Sequence, residues 1–306
     1  MSVTVLQKAL LPWQSADVLS NGSSNVGGVV TLAGEAARLT TAADVATAYG
    51  WESDRVGASL EHVDVVRFPV EPLMRLTTPR DVPDAPWPTY GTGLLRSPHL
   101  VRAWVLERTR YPLGAECWRI AADGRQELVG VYQGAARGWS GAQAYAPPVR
   151  FVGPRAVWRG VDHAADLVGD GQVELVAVGP AQPEGFTPAR PMTWVRRVPA
   201  AECTQVSATV LEATWRSVRV RVLDTAGDGA RVLLQEPSEG EVARLGVGEW
   251  SRASSRRWRR GTSSSTWREP SASSRSPEGP GGPPSAVRVM CAVRSVGGSP
   301  EAPGRR

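Results

Sequence analysis

The sequence predicts a β-rich α+β fold, in which a small helical part precedes an antiparallel sheet domain and a small β unit. Asp123-Gly124, a strong hairpin signal, separates two segments that read as strands. Ser217–Leu223 alternates valine with arginine, the period of a strand with one buried face. Short apolar segments separated by glycine and proline recur between residues 149 and 250. This spacing is typical of consecutive strands.

Residues 1–62 are predicted to form the helical N-terminal part. Thr41 is a good N-cap for a helix that would end at Gly50, because a threonine hydroxyl accepts from the first turn and glycine tolerates the terminal conformation. A second helix over 52–62 would make residues 41–62 a helix pair, either a structural hairpin or a DNA-reading helix-turn-helix. Two acids and one base at residues 52–55 favour the structural hairpin, since DNA is a polyanion.

Residues 63–200 are predicted to form an antiparallel β-rich domain built on a three-stranded meander. A two-residue Asp123-Gly124 turn would place Trp118 opposite Val129 and Glu116 opposite Val131. The three strands of this meander are predicted at 100–107, 116–121 and 127–132.

Residues 201–250 are predicted to form the small C-terminal β unit, and residues 251–306 a disordered Arg/Ser/Pro/Gly tail. The tail contains 11 arginines and 3 acidic residues, whereas residues 1–250 carry 24 basic and 27 acidic residues. The net charge of +5 therefore comes from the tail. The tail is either a native nucleic-acid arm or the product of a reading-frame shift near residue 250. We favour the frame shift, since GC-rich DNA read out of frame gives this composition.

Cysteine usage and hydropathy indicate a cytoplasmic protein. The chain has three cysteines and no CxxC motif, which is atypical of a disulfide framework. The N-terminus lacks the apolar core of a signal peptide. No segment approaches the roughly 18 apolar residues of a membrane span, so no membrane association is expected.

Two loops carry the candidate chemistry. Arg108, Arg110 and Tyr111 follow a predicted strand and are candidates for binding a carboxylate or phosphate. Asp162 and His163 begin the densest polar cluster and are weak candidates for an acid–base pair. No metal-ligand or nucleotide-binding spacing is present, so neither a metal nor a cofactor is expected.

The leading functional hypothesis is a non-enzymatic partner-binding protein, such as an accessory or toxin-neutralising protein, whose partner is another protein. It depends on the missing catalytic motifs and on ten tryptophans within residues 1–250, since tryptophan is enriched at interfaces. One alternative is an enzyme whose anion-binding pocket is assembled from the 108–111 and 162–170 loops. The other is nucleic-acid binding through the 41–62 helix pair or the tail, with little support from the acidic residues 1–250.

Overall fold

Most of the described chain lies in two β-sheets. Every pair of hydrogen-bonded neighbouring strands is antiparallel except the last, which is parallel. The β-rich prediction is therefore confirmed. The computed structural model describes residues 3–51, 60–78, 93–95, 97–226, 229–235, 239–245 and 286–290.

The first sheet has seven strands in the order β4-β5-β2-β1-β3-β6-β7. Its strands are β1 (Val5–Leu10), β2 (Asn25–Leu32), β3 (His62–Pro69), β4 (Leu76–Thr77), β5 (Ala103–Arg110), β6 (Glu116–Ala121) and β7 (Gln126–Val131). The helices near it are α1 (Pro12–Leu19), α2 (Ala33–Ala36) and α3 (Ala42–Ala48).

The prediction of a helical N-terminal part is wrong for residues 5–10 and 25–32, which form two central strands, β1 and β2. At its centre, both faces of this sheet carry buried core residues. Leu6 and Leu10 enter the core beneath α1, whereas Ala9 enters the core beneath α3. A strand buried on both faces lacks the alternation of apolar and polar residues that reveals a one-sided strand.

The three-stranded meander is also wrong, because β2, β1 and β3 separate β5 from β6. The chain between β5 and β6 does not make a hairpin; Tyr111 in that connection is buried in the core beneath α1. The β6–β7 hairpin and its Glu116–Val131 pair are confirmed.

The hairpin has a different turn from the one predicted. The amide of Ala121 donates to the Arg125 carbonyl oxygen at 2.9 Å, which closes a three-residue loop in which Gly124 has a φ of 85°. Trp118 therefore lies opposite Leu128 and not Val129. A bulge between Cys117 and Trp118 restores the predicted register at the far end of the hairpin.

The second sheet contains nine strands in the order β11-β12-β10-β9-β8-β13-β14-β15-β16. Its strands are β8 (Val152–Trp158), β9 (Val161–Leu167), β10 (Gln172–Val178), β11 (Thr187–Arg190), β12 (Thr193–Pro199), β13 (Gln205–Trp215), β14 (Val218–Ala226), β15 (Gly229–Leu234) and β16 (Ala286–Met290). A 3-10 turn spans Ala200–Glu202, and α4 spans Glu239–Leu245.

The strand β13 joins the two halves of the second sheet. Its first half pairs with β8 and its second half pairs with β14. The strands of the predicted C-terminal unit therefore continue the sheet begun by residues 152–199.

Two sequence predictions fall largely outside the described residues. In the predicted tail, Ala286–Met290 forms a strand parallel to β15, and the other residues are not described. Of the predicted helix pair, only the first helix is described, as α3. Across the described ranges, no helix is long and apolar enough to cross a membrane.

Candidate functional site

A buried carboxylate in the first sheet organises the candidate site. Asp64 lies in β3 between Leu10 of β1 and Arg119 of β6, and its side chain is 0% exposed. The Arg119 guanidinium donates from Nε to Oδ1 at 2.9 Å and from Nη2 to Oδ2 at 3.0 Å. This two-bond geometry is the strongest that arginine makes with a carboxylate. Hydrogen bonding to Asp64 raises the pKa of Arg119 further.

The helix α1 completes the network. Proline at its first position needs no intrahelical donor, and the Leu11 amide donates to Gln14 Oε1 at 3.0 Å. The helix thereby places Ser15 over β3, where its hydroxyl donates to Oδ2 of Asp64. Both oxygens of Asp64 accept hydrogen bonds from these partners, so the buried charge is compensated.

A cavity of about 490 Å³ opens beside this network, within the size range of ligand pockets. One side of the Arg119 side chain borders it, with 36% of that side chain exposed. Its polar lining residues are Ser15, Ser20, Glu61, His62, Asp64, Arg119 and Gln143. Its apolar lining residues are Leu10, Pro12, Ala16, Leu19, Trp51, Leu60 and Val63.

Within the described residues, the groups around the cavity do not include a nucleophile paired with a base. The Ser15 hydroxyl donates its proton to the Asp64 carboxylate, which also accepts hydrogen bonds from Arg119. Across the described chain, no hydrogen bond joins His62 to Ser15, as a serine nucleophile with a histidine base would require. Burial raises the pKa of the neighbouring Cys117 thiol to about 12, so it stays protonated near neutral pH.

A second polar cluster joins the two sheets. Arg110 of β5 and Asp166 of β9 are 2% and 4% exposed, and Nη2 lies 3.2 Å from Oδ1. The same nitrogen donates to the carbonyl oxygens of Pro154 and Ala165, and the Ala135 amide donates to Oδ2 at 2.6 Å. Burial raises the pKa of Asp166, and the charge of Arg110 opposes that rise. Both side chains are buried, and the pair links a strand of the first sheet to a strand of the second.

The predicted site residues do not converge on one pocket. Arg110 meets the 162–170 segment at Asp166. Tyr111 packs against Phe68 and Trp139, with ring centroids 5.5 and 5.2 Å away. Arg108 lies near Lys8, where burial and the arginine charge lower the lysine pKa to about 8.

The remaining two candidates lie on opposite faces of β9. Asp162 is exposed and accepts from Arg155 Nε at 2.8 Å. His163 is buried with its ring centroid 5.4 Å from that of Phe186, and burial lowers its pKa. The imidazole therefore packs as an aromatic group in the second sheet.

Sequence reasoning missed the Ser15–Asp64–Arg119 network. One signal was present, because Asp64 interrupts the apolar segment Val63–Val66, and a charge within a buried strand needs a partner. Its partners are 49 and 55 residues away in sequence, a separation that local periodicity does not detect.

An apolar cavity of about 590 Å³ lies elsewhere on the first sheet, lined by Val3, Thr4, Leu6, Leu32, Val70, Leu76 and Trp104. Its polar side-chain groups are the Thr4 hydroxyl and the Trp104 indole N–H, and no charged side chain is among these residues. A site that selects a ligand needs a few placed polar groups on an apolar wall. The cavity beside Asp64 has both, so it is the stronger candidate.

No family model matches the chain, and neither a curated protein nor a solved structure does. The cavity is therefore interpreted from its own geometry.

Proposed function

We propose that the chain is a non-enzymatic partner-binding protein and that the cavity beside Asp64 is its recognition site. The observation that carries this proposal is the closed Ser15–Asp64–Arg119 network. It satisfies the buried carboxylate, and among the described residues around it no nucleophile is paired with a base, while Arg119 also lines the cavity. Fixed polar groups on a partly apolar cavity wall favour recognition over catalysis.

The walls of the cavity suit a protein partner. Trp51 and Leu60 are half-buried and line it together with Leu19. An aromatic anchor beside an arginine is a common centre of protein–protein binding energy. An accessory or toxin-neutralising protein would bind its partner by accepting one of the partner's side chains or chain ends here.

The two other functions draw less support. An anion-binding enzyme pocket would need Arg110 accessible, but Arg110 is 2% exposed and paired with Asp166. DNA reading by the helix pair would place residues 52–55 against a polyanion, and these carry two acids and one base. The first helix, α3, packs Ala42, Val45 and Ala48 into the core of the first sheet.

Filling the cavity tests the proposal. Ala16 is exposed on α1 and lines the cavity, so Ala16→Trp should block it without touching the Asp64 ion pair. Ala43→Trp, at an exposed position on α3 outside the cavity, is the matched control. The full chain is immobilised, and partners captured from host lysate are identified by mass spectrometry.

The expected result is a partner that wild type and Ala43→Trp capture and Ala16→Trp does not. Urea unfolding confirms that both variants are folded. Equal capture by Ala16→Trp, or no partner captured by wild type, would contradict the proposal.

A further inference from the structure

We propose that the cavity beside Asp64 binds a single carboxylate carried on an apolar group, with Arg119 as the recognition residue. The chemistry is that of a polypeptide C-terminus with an apolar last residue, and equally that of a free aryl or alkyl carboxylate. This inference rests on the proposed function for the location of the site and adds the class of its ligand.

The guanidinium of Arg119 has one edge free for a ligand. Its Nε and Nη2 are held by the two oxygens of Asp64. Its Nη1 has no hydrogen-bond partner in the part of the chain that the structure describes, and it belongs to a side chain that borders the cavity. A planar guanidinium presents its N–H groups in a fixed fork that matches carboxylate geometry.

The buried carboxylate of Asp64 orients the Arg119 guanidinium for binding a carboxylate ligand. The Asp64 side chain is 0% exposed and receives the Ser15 hydroxyl as well. The guanidinium is therefore held in one orientation before any ligand arrives, and little side-chain entropy is lost on binding. Gln143 lines the same cavity and is exposed, so its side-chain amide is a second donor within the cavity.

The charges around the cavity limit the ligand to one negative charge. The negative charge of Asp64 offsets much of the positive charge of Arg119. Glu61, a second carboxylate, lies exposed in the cavity wall. A doubly charged group such as a phosphate would meet this carboxylate without a second arginine or a lysine among the lining residues. Trp51, Leu60 and Leu19 supply apolar surface for the rest of the ligand.

Arg110 also has nitrogens without a hydrogen-bond partner in the described chain, but it is a poorer choice. Nε and Nη1 of Arg110 have no hydrogen-bond partner among the described residues. Arg110 is only 2% exposed, however, and lies between the two sheets, where a ligand has no path to it. Arg119, by contrast, combines a donor without a protein partner among the described residues with a position in a cavity wall.

The test measures binding of defined probes to the full chain by isothermal titration calorimetry and NMR. The first pair is benzoate and benzamide, and the second is a leucine-terminated tetrapeptide as its free acid and as its amide. Phenyl phosphate is the dianionic probe. Each carboxylate should bind about tenfold or more tightly than its amide, since a charged hydrogen bond of this kind contributes about 1.5–3 kcal/mol. Phenyl phosphate should bind more weakly than benzoate.

Three variants separate the inference from simple misfolding. Ala16→Trp should abolish binding of every carboxylate probe, whereas Ala43→Trp should leave it unchanged. Arg119→Lys should reduce binding at least about tenfold, and its folding is checked by urea unfolding. A peptide acid that binds more tightly than benzoate identifies a polypeptide terminus as the source. The reverse order identifies a free carboxylate.

Equal affinity for acid and amide, or carboxylate binding that survives Ala16→Trp, would overturn the inference. If no carboxylate binds but Ala16→Trp still abolishes partner capture, the ligand class is wrong and the proposed function stands. If carboxylates bind at the cavity but no partner is captured, the ligand class stands and the partner-binding function fails.

Discussion

Glu71 should make the stability of the protein fall as the pH rises through neutrality. It follows β3, is half-buried and makes no side-chain hydrogen bond within the described ranges. Burial and the charge of Asp166 raise its pKa from 4.5 to about 7, against the opposing effect of Arg110. The unfolded chain releases this proton near pH 4.5 and the folded chain near 7, so the folded state is penalised increasingly across that window.

The size of the penalty follows from the two pKa values. A difference between 4.5 and about 7 corresponds to about 3 kcal/mol when the pH exceeds both. This is an upper bound, because a half-buried side chain can rotate towards water. Glu71→Gln removes the titrating group while keeping its shape. The variant should gain less than about 1 kcal/mol at pH 5 and up to about 3 kcal/mol at pH 8.

Urea unfolding followed by tryptophan fluorescence at pH 5, 6 and 8 measures this gain. Glu184→Gln is the control, because Glu184 is exposed in a loop of the second sheet, and it should show no such pH dependence. A gain from Glu71→Gln that is constant across the three pH values would refute the reasoning. So would a gain that grows as the pH falls.

Three other predictions concern the junction of the sheets and its surroundings. Arg110→Met should destabilise the protein by about 3–5 kcal/mol in urea unfolding, because it leaves Asp166 buried without its counter-charge, and Arg110→Met/Asp166→Leu should recover much of that loss. Gly153→Ala should be clearly destabilising, since Gly153 has a φ of 96° and a Cβ there would lie 2.8 Å from Arg110 Cβ. Gly160→Ala, with a φ of 78° and no atom within 4 Å, should cost only the backbone strain of about 1 kcal/mol. Cys117 should resist iodoacetamide at pH 8 until urea unfolds the chain, since it is buried with a thiol pKa of about 12; labelling of the native protein at this site would contradict that placement.

The β6–β7 hairpin shows how far local sequence reasoning reaches. Asp123-Gly124 and the alternation around it predict the two strands and the Glu116–Val131 pair, all of which the structure contains. They do not predict the bulge that places Trp118 opposite Leu128. The extra residue of this bulge is Val129 of β7, and no local turn or alternation signal marks it.

The central strands show the opposite case. The alternation used to recognise strands depends on one face being exposed to solvent. In β1 and β2, residues on one face enter the core beneath α1 and residues on the other face enter the core beneath α3. Buried positions on these strands include the polar residues Gln7 and Thr31, at 1% and 0% exposed, so the alternation of apolar and polar residues is weak. The helices that cover these strands come from other parts of the chain, so the local periodicity of the strands does not predict them.

The sequence by itself determined that this chain is rich in antiparallel strands, because turn residues and period-two alternation are local properties of the backbone and side chains. Only the tertiary structure decided which charges meet. It pairs Arg110 with Asp166 across 56 residues and brings Ser15 and Arg119 to Asp64. A charge enters a protein interior only with a partner, and the choice of partner is made by strand order and sheet packing.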